Sequence, residues 1–412
     1  MNPRKTIDVV ALSNLCLDIV VEVDQVPSQD AAIRKALLSS LTASPPPQSA
    51  WELGGNCNFL IAASRIGLKA VSLGCLGSDS YGNFLSSVLL QEGVHLLPIL
   101  AEDPPPSPPP PQQQQQQLFS TLLCFVLVAP ETQTHTFCSS YDFGPWPLLP
   151  RMGHLPSDAQ SALANTSCLF INGFAFDDLP PEIVVTSARE ARESGAAVFF
   201  DPGPRSWTFV AHHNDENENE NNNNRGLDNR DRQQAFEELL NVTDVILMTE
   251  EEAEAVTGQS TPEQAAKWVL QRPKSVMSWC IIKQGGNGAL LATNNSNNSR
   301  SNIGDGISFY YQPAVNVDVK DTVGCGDSFA AAIVLGFTQG HGINSVLALG
   351  NAVGAATAMA MGAGRNVAAA ETVEQLLKSQ IEELNNEGGD REVSAAAREA
   401  LDILQASLRQ KK

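Results

Sequence analysis

The chain has 412 residues, with 26 Lys+Arg against 46 Asp+Glu for a formal net charge of −20, and 42% of it is hydrophobic. That hydrophobic share supports a large core and excludes wholesale disorder, and the length suits one large domain or two ordinary ones. So acidic a surface repels phosphate backbones and anionic lipid, which excludes nucleic acid and membrane surfaces as partners, although part of the excess sits in one insert (Asp215, Glu216, Glu218, Glu220).

In chain order, Ile7–Leu12 is a β-branched apolar run that predicts a first strand, and Ile19–Val23 continues it. Asn56–Ile66 has small and apolar residues at helical spacing, closed by Gly67, and Val71–Cys75 follows as a strand. Ser80–Gln91 reads as a helix ending at Gly93. Strands are then expected at Cys168–Asn172, Ala197–Asp201, Val245–Met248 and Cys280–Lys283, with helices between them such as Glu182–Ser194 and Pro262–Gln271. Continuous apolar strands alternating with helices indicate an α/β fold of three layers, a mostly parallel central sheet with helices on both faces. Two more polar, strand-like regions, about 20–52 and 118–141, lack helices in this reading and predict a small antiparallel sheet, a β lid over the carboxyl edge of the main sheet. Three low-complexity inserts, 104–117 (prolines, then six glutamines), 214–224 (Asn and acids) and 293–301 (Asn and Ser), read as expanded surface loops. One domain is expected over 7–370, followed by a charged helical tail over 371–412 that breaks at Gly388-Gly389.

The eight cysteines form no C-x-x-C pair, and the histidines do not cluster with them as zinc ligands would. They read as reduced, mostly buried thiols. The N-x-[ST] matches at Asn165, Asn241, Asn294 and Asn297 are discounted as by-products of Asn-rich sequence. No apolar run reaches the roughly 18 residues that span a bilayer, and the longest, Leu118–Ala129, reads as a buried strand. The first strand begins at Ile7, which leaves no room for a signal or transit peptide, so the expectation is a cytoplasmic protein.

The segment Val315–Ala332, VNVDVKDTVGCGDSFAAA, carries the strongest chemistry. A strand is expected to end near Val319, followed by a turn over Asp321–Gly326 and a small-residue helix beginning at Asp327-Ser328-Phe329. Helix N-termini present unpaired N–H groups and partial positive charge, and the glycines at 324 and 326 let an anion approach those amides. No Gly-Lys-Ser/Thr follows, so this is not a Walker A loop. A carboxylate at the mouth of an anion site does not bind phosphate. Asp327 can instead take the proton of an incoming hydroxyl while the amides hold a transferring phosphoryl group. The bland alternative makes Asp327 a helix cap and the glycines turn residues.

DTVGCGDSF resembles the signature of the PfkB family of carbohydrate kinases, which have the ribokinase-like fold. Gly54-Gly55-Asn56-Cys57-Asn58 with Ala62–Gly67, then Leu73–Asp79 and Gly82, are similar to the family's N-terminal signature. The resemblance runs from about Ile7 to Gly364 between the inserts. It implies transfer of the γ-phosphoryl group of ATP to a hydroxymethyl group of a sugar or sugar-like small molecule. Asp327 matches the general base, and the amides of Gly324, Cys325 and Gly326 match the anion hole. Asp18, Gly54, Gly55 and Asn58 match the residues that hold substrate hydroxyls.

On the nucleotide side, Glu252 matches the glutamate of the N-x-x-E motif that organises Mg2+ through water, with Thr249 where the family usually has Asn. Thr249 to Glu252 also reads as an ordinary helix cap with acids in its first turn. Lys283, Gly285 and Gly288 match a strand-end loop near the ATP phosphates, a turn that would otherwise be read as a hairpin. Asn351 matches a position lining the adenine pocket, in a run that equally suits tight helix packing. Asp321, Thr322, Gly362 and Gly364 match loops that hold a monovalent cation, K+, in some members.

The Gly-Gly loop is one residue shorter before Asn58 than in ribokinase, and Ala11-Leu12-Ser13 stands where many members have a glycine. A homodimer could form through the lid. The competing reading is a catalytically weak kinase-like binding or scaffold protein. A dinucleotide-dependent oxidoreductase is excluded, because Ala11-Leu12-Ser13-Asn14 supplies no G-x-G-x-x-G.

Overall fold

A computed structural model describes residues 5–12, 15–28, 30–97, 99, 121–129, 131, 134–139, 147, 149, 152–210, 225–294, 306–386 and 388–411. The inserts 104–117 and 214–224, most of 293–301, and parts of 118–141 lie outside these residues. In chain order the strands are β1 (Ile7–Leu12), β2 (Leu15–Glu22), β3 (Trp51–Gly55), β4 (Ala70–Leu73), β5 (His95–Leu96), β6 (Leu122–Ala129), β7 (Thr134–Ser139), β8 (Thr166–Asn172), β9 (Ala197–Asp201), β10 (Val245–Thr249), β11 (Trp279–Lys283), β12 (Ala289–Asn294) and β13 (Ile307–Gln312). The helices are α1 (Ala31–Ala43), α2 (Asn56–Arg65), α3 (Ser80–Gln91), α4 (Ser157–Asn165), α5 (Ala175–Asp178), α6 (Pro181–Glu193), α7 (Arg225–Leu240), α8 (Glu250–Thr257), α9 (Pro262–Leu270), α10 (Cys325–Thr338), α11 (Ile343–Ala358), α12 (Ala370–Asn386) and α13 (Arg391–Lys411).

The central sheet has nine strands in the order β13-β12-β11-β10-β9-β8-β1-β4-β5. All neighbours pair in parallel except β11–β12 and β12–β13. Its strands are apolar on both faces because both faces are covered. Val9, Phe170, Phe199, Leu247 and Ile281 bury against α2, α10 and α11. Val10, Ile171, Phe200, Ile246 and Ile282 bury against α4 to α9. The alternation along each strand feeds two separate cores. Phe59 of α2 stacks on Phe170 of β8 at 3.8 Å between ring centroids and seats that helix on the sheet.

A second sheet, β3-β2-β6-β7, forms from the regions expected to make a lid. It is mixed rather than antiparallel, because β2 and β6 pair in parallel, and it begins at Leu15 and reaches Gly55. The segment expected to be free of helix contains α1, which Asp30 caps by accepting hydrogen bonds from the amides of Ala32 (2.9 Å) and Ile33 (3.0 Å). No residue of α1 is fully buried, so its apolar residues left no clear helical stripe. The prolines at 45–47 follow its C-cap, Ser44, as a stop signal.

Two further expectations are corrected. No strand ends near Val319: the last strand stops at Gln312, where Pro313 cannot donate to a ladder, and 313–319 runs on without strand pairing. The helix after it opens at Cys325, two residues earlier than read, since Gly324 itself is the N-cap at φ 77°.

The charged segment beyond 370 is part of the body. Val373 and Leu377 of α12 and Ala397, Ala400, Ile403 and Leu404 of α13 are buried in the core that holds α10 and α11. At its far end Ser407 fills the space beside Gly67, and the Lys411 ammonium donates to the Ser64 carbonyl at 2.6 Å. The charges occupy the outer stripe of an amphipathic helix, which composition alone reads as a tail. Among the described residues no helix is long and apolar enough to cross a membrane.

Leu404→Ala should therefore lower the stability of the whole protein by about 2–5 kcal/mol in chemical denaturation. The exposed neighbour change Asp402→Ala should stay within about 0.5 kcal/mol. Equal, negligible effects from both would mean α13 is not docked.

Candidate active site

The carboxyl ends of the central strands gather the polar residues. Asn172 ends β8, Asp201 ends β9 beside it, Thr249 ends β10 and Lys283 ends β11. Opposite them, Gly324 turns the chain in the left-handed region, and a Cβ there would come within 3.1 Å of Ala363. The turn aims the N-terminus of α10 at the strand ends. The Cys325 N–H is drawn to the Thr322 carbonyl at 3.2 Å. Gly326 and Asp327 lie in the first turn, whose N–H groups have no intrahelical partner. The Cys325 thiol is half-buried, and burial pushes it up to about 12.

Asp327 lies half-buried in this first turn and accepts a hydrogen bond on Oδ2 from the Asn58 amide nitrogen at 3.3 Å. Burial pushes its carboxyl up to about 7, and the Asp201 charge adds to the rise while Lys283 and the Asn58 hydrogen bond oppose it. The Lys283 ammonium donates to Asp201 Oδ2 at 2.7 Å. It would also be 3.4 Å from a Cβ on Gly326, so the glycine leaves room for a cation beside the helix end. Burial lowers the Lys283 pKa, but Asp201, Glu252 and Asp327 outweigh it and keep the ammonium protonated.

Glu252 and Thr249 form a complete capping box: Glu252 accepts from the Thr249 amide at 2.7 Å and Thr249 Oγ1 accepts from the Glu252 amide at 3.2 Å. Burial raises the Glu252 pKa.

Asp18, on β2, is buried beside Gly54 of β3, where a Cβ would fall 2.1 Å from its carboxylate. Only glycine permits that approach. The Cys16 thiol donates to Asp18 at 3.3 Å. Burial pushes Asp18 up to about 7, the Cys16 hydrogen bond opposes this, and the Glu52 and Asp327 charges add to it. Gly55 (φ 58°) is the N-cap of α2, which begins Asn56, Cys57, Asn58. Asn56 donates to the Leu12 carbonyl and accepts from Asn172, so this loop is tied to the ends of β1 and β8.

Gly285 and Gly288 shape a tight hairpin turn between β11 and β12. A Cβ on Gly288 would meet the Gln312 carbonyl, to which the Asn351 amide also donates at 2.9 Å, as it does to that of Pro313. Asn351 thus ties the exit of β13, as tight packing requires. Asp321 accepts from the amides of Val323 (3.0 Å) and Gly362 (2.9 Å), which joins two of the loops read as a cation site. Thr322 is exposed between them, whereas Gly364 turns its amide to Asn58 instead.

Sequence reasoning missed three residues here. Asp201 heads Asp-Pro-Gly-Pro-Arg at the end of a parallel strand, a position that is itself a signal for ligand contact. Its loop is braced by Arg205, bound to the buried Asp177, which also binds Arg232, at 2.7 Å each. Glu52 and Arg365 form an ion pair at 3.0 Å beside Asp18, and nothing in the spacing of residues so far apart announces it. Among the described residues no group of three or more His, Cys, Asp or Glu side chains converges as metal ligands. Asp201 and Glu252 around Lys283 suit an ion held largely by water and phosphate oxygens.

Residues 205–370 match the model of the pfkB family carbohydrate kinases. The chain is 20% identical over 385 residues to a 5-dehydro-2-deoxygluconokinase of Bacillus subtilis, covering 92% of this chain and 98% of the relative. It is 24% identical over 319 residues to a ribokinase of Haemophilus influenzae, covering 76% and 83%. Its fold is similar to that of a putative ribokinase II from E. coli solved with ATP and Mg2+, with a TM-score of 0.63, 18% identity, and 90% and 99% of the two chains covered. Arabidopsis thaliana ribokinase, solved with ribose and ATP, superposes with a TM-score of 0.61 at 18% identity over 90% and 99%.

Asp18 and Asp327 titrate near 7 in the folded protein against 3.8 as ordinary aspartates. Raised carboxyls stabilise the fold fully below the ordinary value, and that stability is lost as pH rises through about 7. Ligand-free Asp18→Asn and Asp327→Asn proteins should therefore gain stability over wild type at pH 8 and gain less at pH 5, in denaturant titrations at both pH values. A gain independent of pH would show that these carboxyls are not raised.

Proposed function

We propose that the chain, whose residues 205–370 match the pfkB family carbohydrate kinases, is an ATP-dependent phosphotransferase that acts on a hydroxymethyl group of a sugar or sugar-like substrate with Asp327 as the base. The observation that carries this reading is the Asp327 carboxylate, raised to about 7 by burial and set in the first turn of α10 beside Lys283. A base poised near neutral pH is ionised enough to act and basic enough to take a proton.

Substrate hydroxyls would bind Asp18, with Gly54 and Gly55 leaving the space and Asn58 at the inner edge. As the alcohol oxygen forms its bond to the γ-phosphorus, its proton passes to Asp327, and the bridging oxygen leaves with ADP. The amides at Gly324, Cys325 and Gly326 would face the transferring group, with Cys325 sharing its N–H with Thr322. Lys283 would lie against the phosphates, its ammonium oriented by Asp201, and Gly285, Gly288 and Asn351 would shape the nucleotide side. Glu252, with Asp201 nearby, would hold Mg2+ through water, and the ion would supply charge neutralisation on the phosphates. K+ would belong to the loops joined by Asp321 and Gly362, with Thr322 and Gly364 adjoining. The lid sheet would exclude water during transfer, and a homodimer would form along it.

Asp327→Asn should lower kcat by about 10²–10⁴-fold while MgATP still binds by calorimetry. In wild type kcat/KM should rise with pH through about 7, because only the ionised base takes the proton. The substrates to assay are ribose and 5-dehydro-2-deoxygluconate, towards which the relatives' names point. An Asp327→Asn protein that turns over at the wild-type rate would remove this residue from the base role.

A further inference from the structure

Asn58 was read as a ligand of substrate hydroxyls, yet its side chain is spent on protein groups. Its Oδ1 accepts from the Gly364 amide at 2.8 Å, and its Nδ2 donates to Asp327 Oδ2 at 3.3 Å. The two contacts fix each other. A backbone N–H can only donate, so the oxygen of Asn58 must face Gly364, and the NH2 group must then face Asp327. Gly364 cannot drift, because a Cβ there would lie 2.5 Å from Glu52 and 2.7 Å from the Leu53 carbonyl of β3. Gly324 closes the other side, since its Cβ would lie 3.6 Å from the Asn58 side chain. The amide therefore has one orientation, set by the lid strand β3 through the 364 turn.

An NH2 group facing a carboxylate oxygen makes that oxygen an acceptor and disfavours a proton on it. We propose that Asn58 is a positioning residue for proton transfer: it holds Asp327 Oδ2 as an acceptor and leaves Oδ1 as the oxygen that removes the substrate's proton. The inference rests on Asp327 being the base. In the step, the alcohol O–H bond breaks as its oxygen bonds to the γ-phosphorus, the proton goes to Oδ1, and the bridging P–O bond breaks with its electron pair leaving on ADP. Asn58 takes no proton. The other ionisable groups acting around Asp327 are Asp201 from β9, Lys283 from β11, Glu252 from α8 and Asp18 from β2, with the Cys57 and Cys325 thiols nearby.

The test compares wild type with Asn58→Ala, Asn58→Asp and Asp327→Asn, following kcat and substrate KM with MgATP from pH 5.5 to 9. Carboxyl 13C titration of Asp327 in the ligand-free proteins reads the contact without any substrate. Removing the donor should shift the Asp327 midpoint and the acidic limb of the rate profile upward, and Asn58→Asp should shift both further through like-charge repulsion. For Asn58→Ala we expect kcat near neutral pH to fall by about 10- to 100-fold, part of what base catalysis supplies. The loss should shrink toward pH 9, with substrate KM within about threefold of wild type. A large, pH-independent rise in KM with an unmoved Asp327 midpoint would make Asn58 a substrate ligand and overturn the proposal. A lowered melting temperature with an unmoved midpoint would make it merely structural, which overturns it equally. Undiminished turnover by Asp327→Asn, or no turnover of any substrate by wild type, would instead count against the base assignment itself.

Discussion

The arrangement turns on opposed forces at one carboxylate. Burial and the neighbouring acids Asp201 and Glu252 push Asp327 toward its neutral form, while Lys283 and the Asn58 amide favour its charge. The N-terminus of α10 adds partial positive charge. Burial and the acids prevail, and the cation and the amide hold the rise to about 7. Had the carboxylate been solvated, it would be a weak base. Had it been buried without the cation and the amide, it would stay protonated and inert.

The same economy governs the cation. Lys283 is half-buried, and burial by itself favours the neutral amine. Asp201 at 2.7 Å keeps it charged. Asp201 in turn depends on its loop, which the Arg205–Asp177–Arg232 cluster fastens to α5 and α7. A buried carboxylate met by two guanidiniums is a costly thing to form and a hard one to disturb, which suits a loop whose task is to hold one charge still.

Much of this was legible in the sequence, for definite reasons. The central strands are continuous apolar runs ended by polar residues, so Ala197–Asp201 coincides with its observed strand, and Ser80–Gln91, capped by Asp79 and followed by Gly93, coincides with its observed helix. The glycine-rich turn before Asp327 was visible because only certain residues permit a left-handed cap and a close approach. What escaped notice depends on contacts between distant segments. The helix α1 has no fully buried face to signal it. The outer charges of α13 masked an inner stripe of alanine, isoleucine and leucine. Glu52 and Arg365 are ordinary charged residues until folding brings them together. The ligand roles assigned to Glu252, Asn351 and Asn58 came from resemblance, whereas their side chains are seen making a cap, a strand-exit tie and a contact to Asp327.

The docking of α13 on α2 carries a consequence for how the molecule is made. Ser64 and Gly67, at the end of the helix that bears Asn58, are covered by Ser407 and Lys411. Domains tend to fold as the chain emerges from the ribosome, yet this early helix cannot complete its packing until the last helix has been translated. The half of the proposed site encoded first is therefore among the last to be assembled.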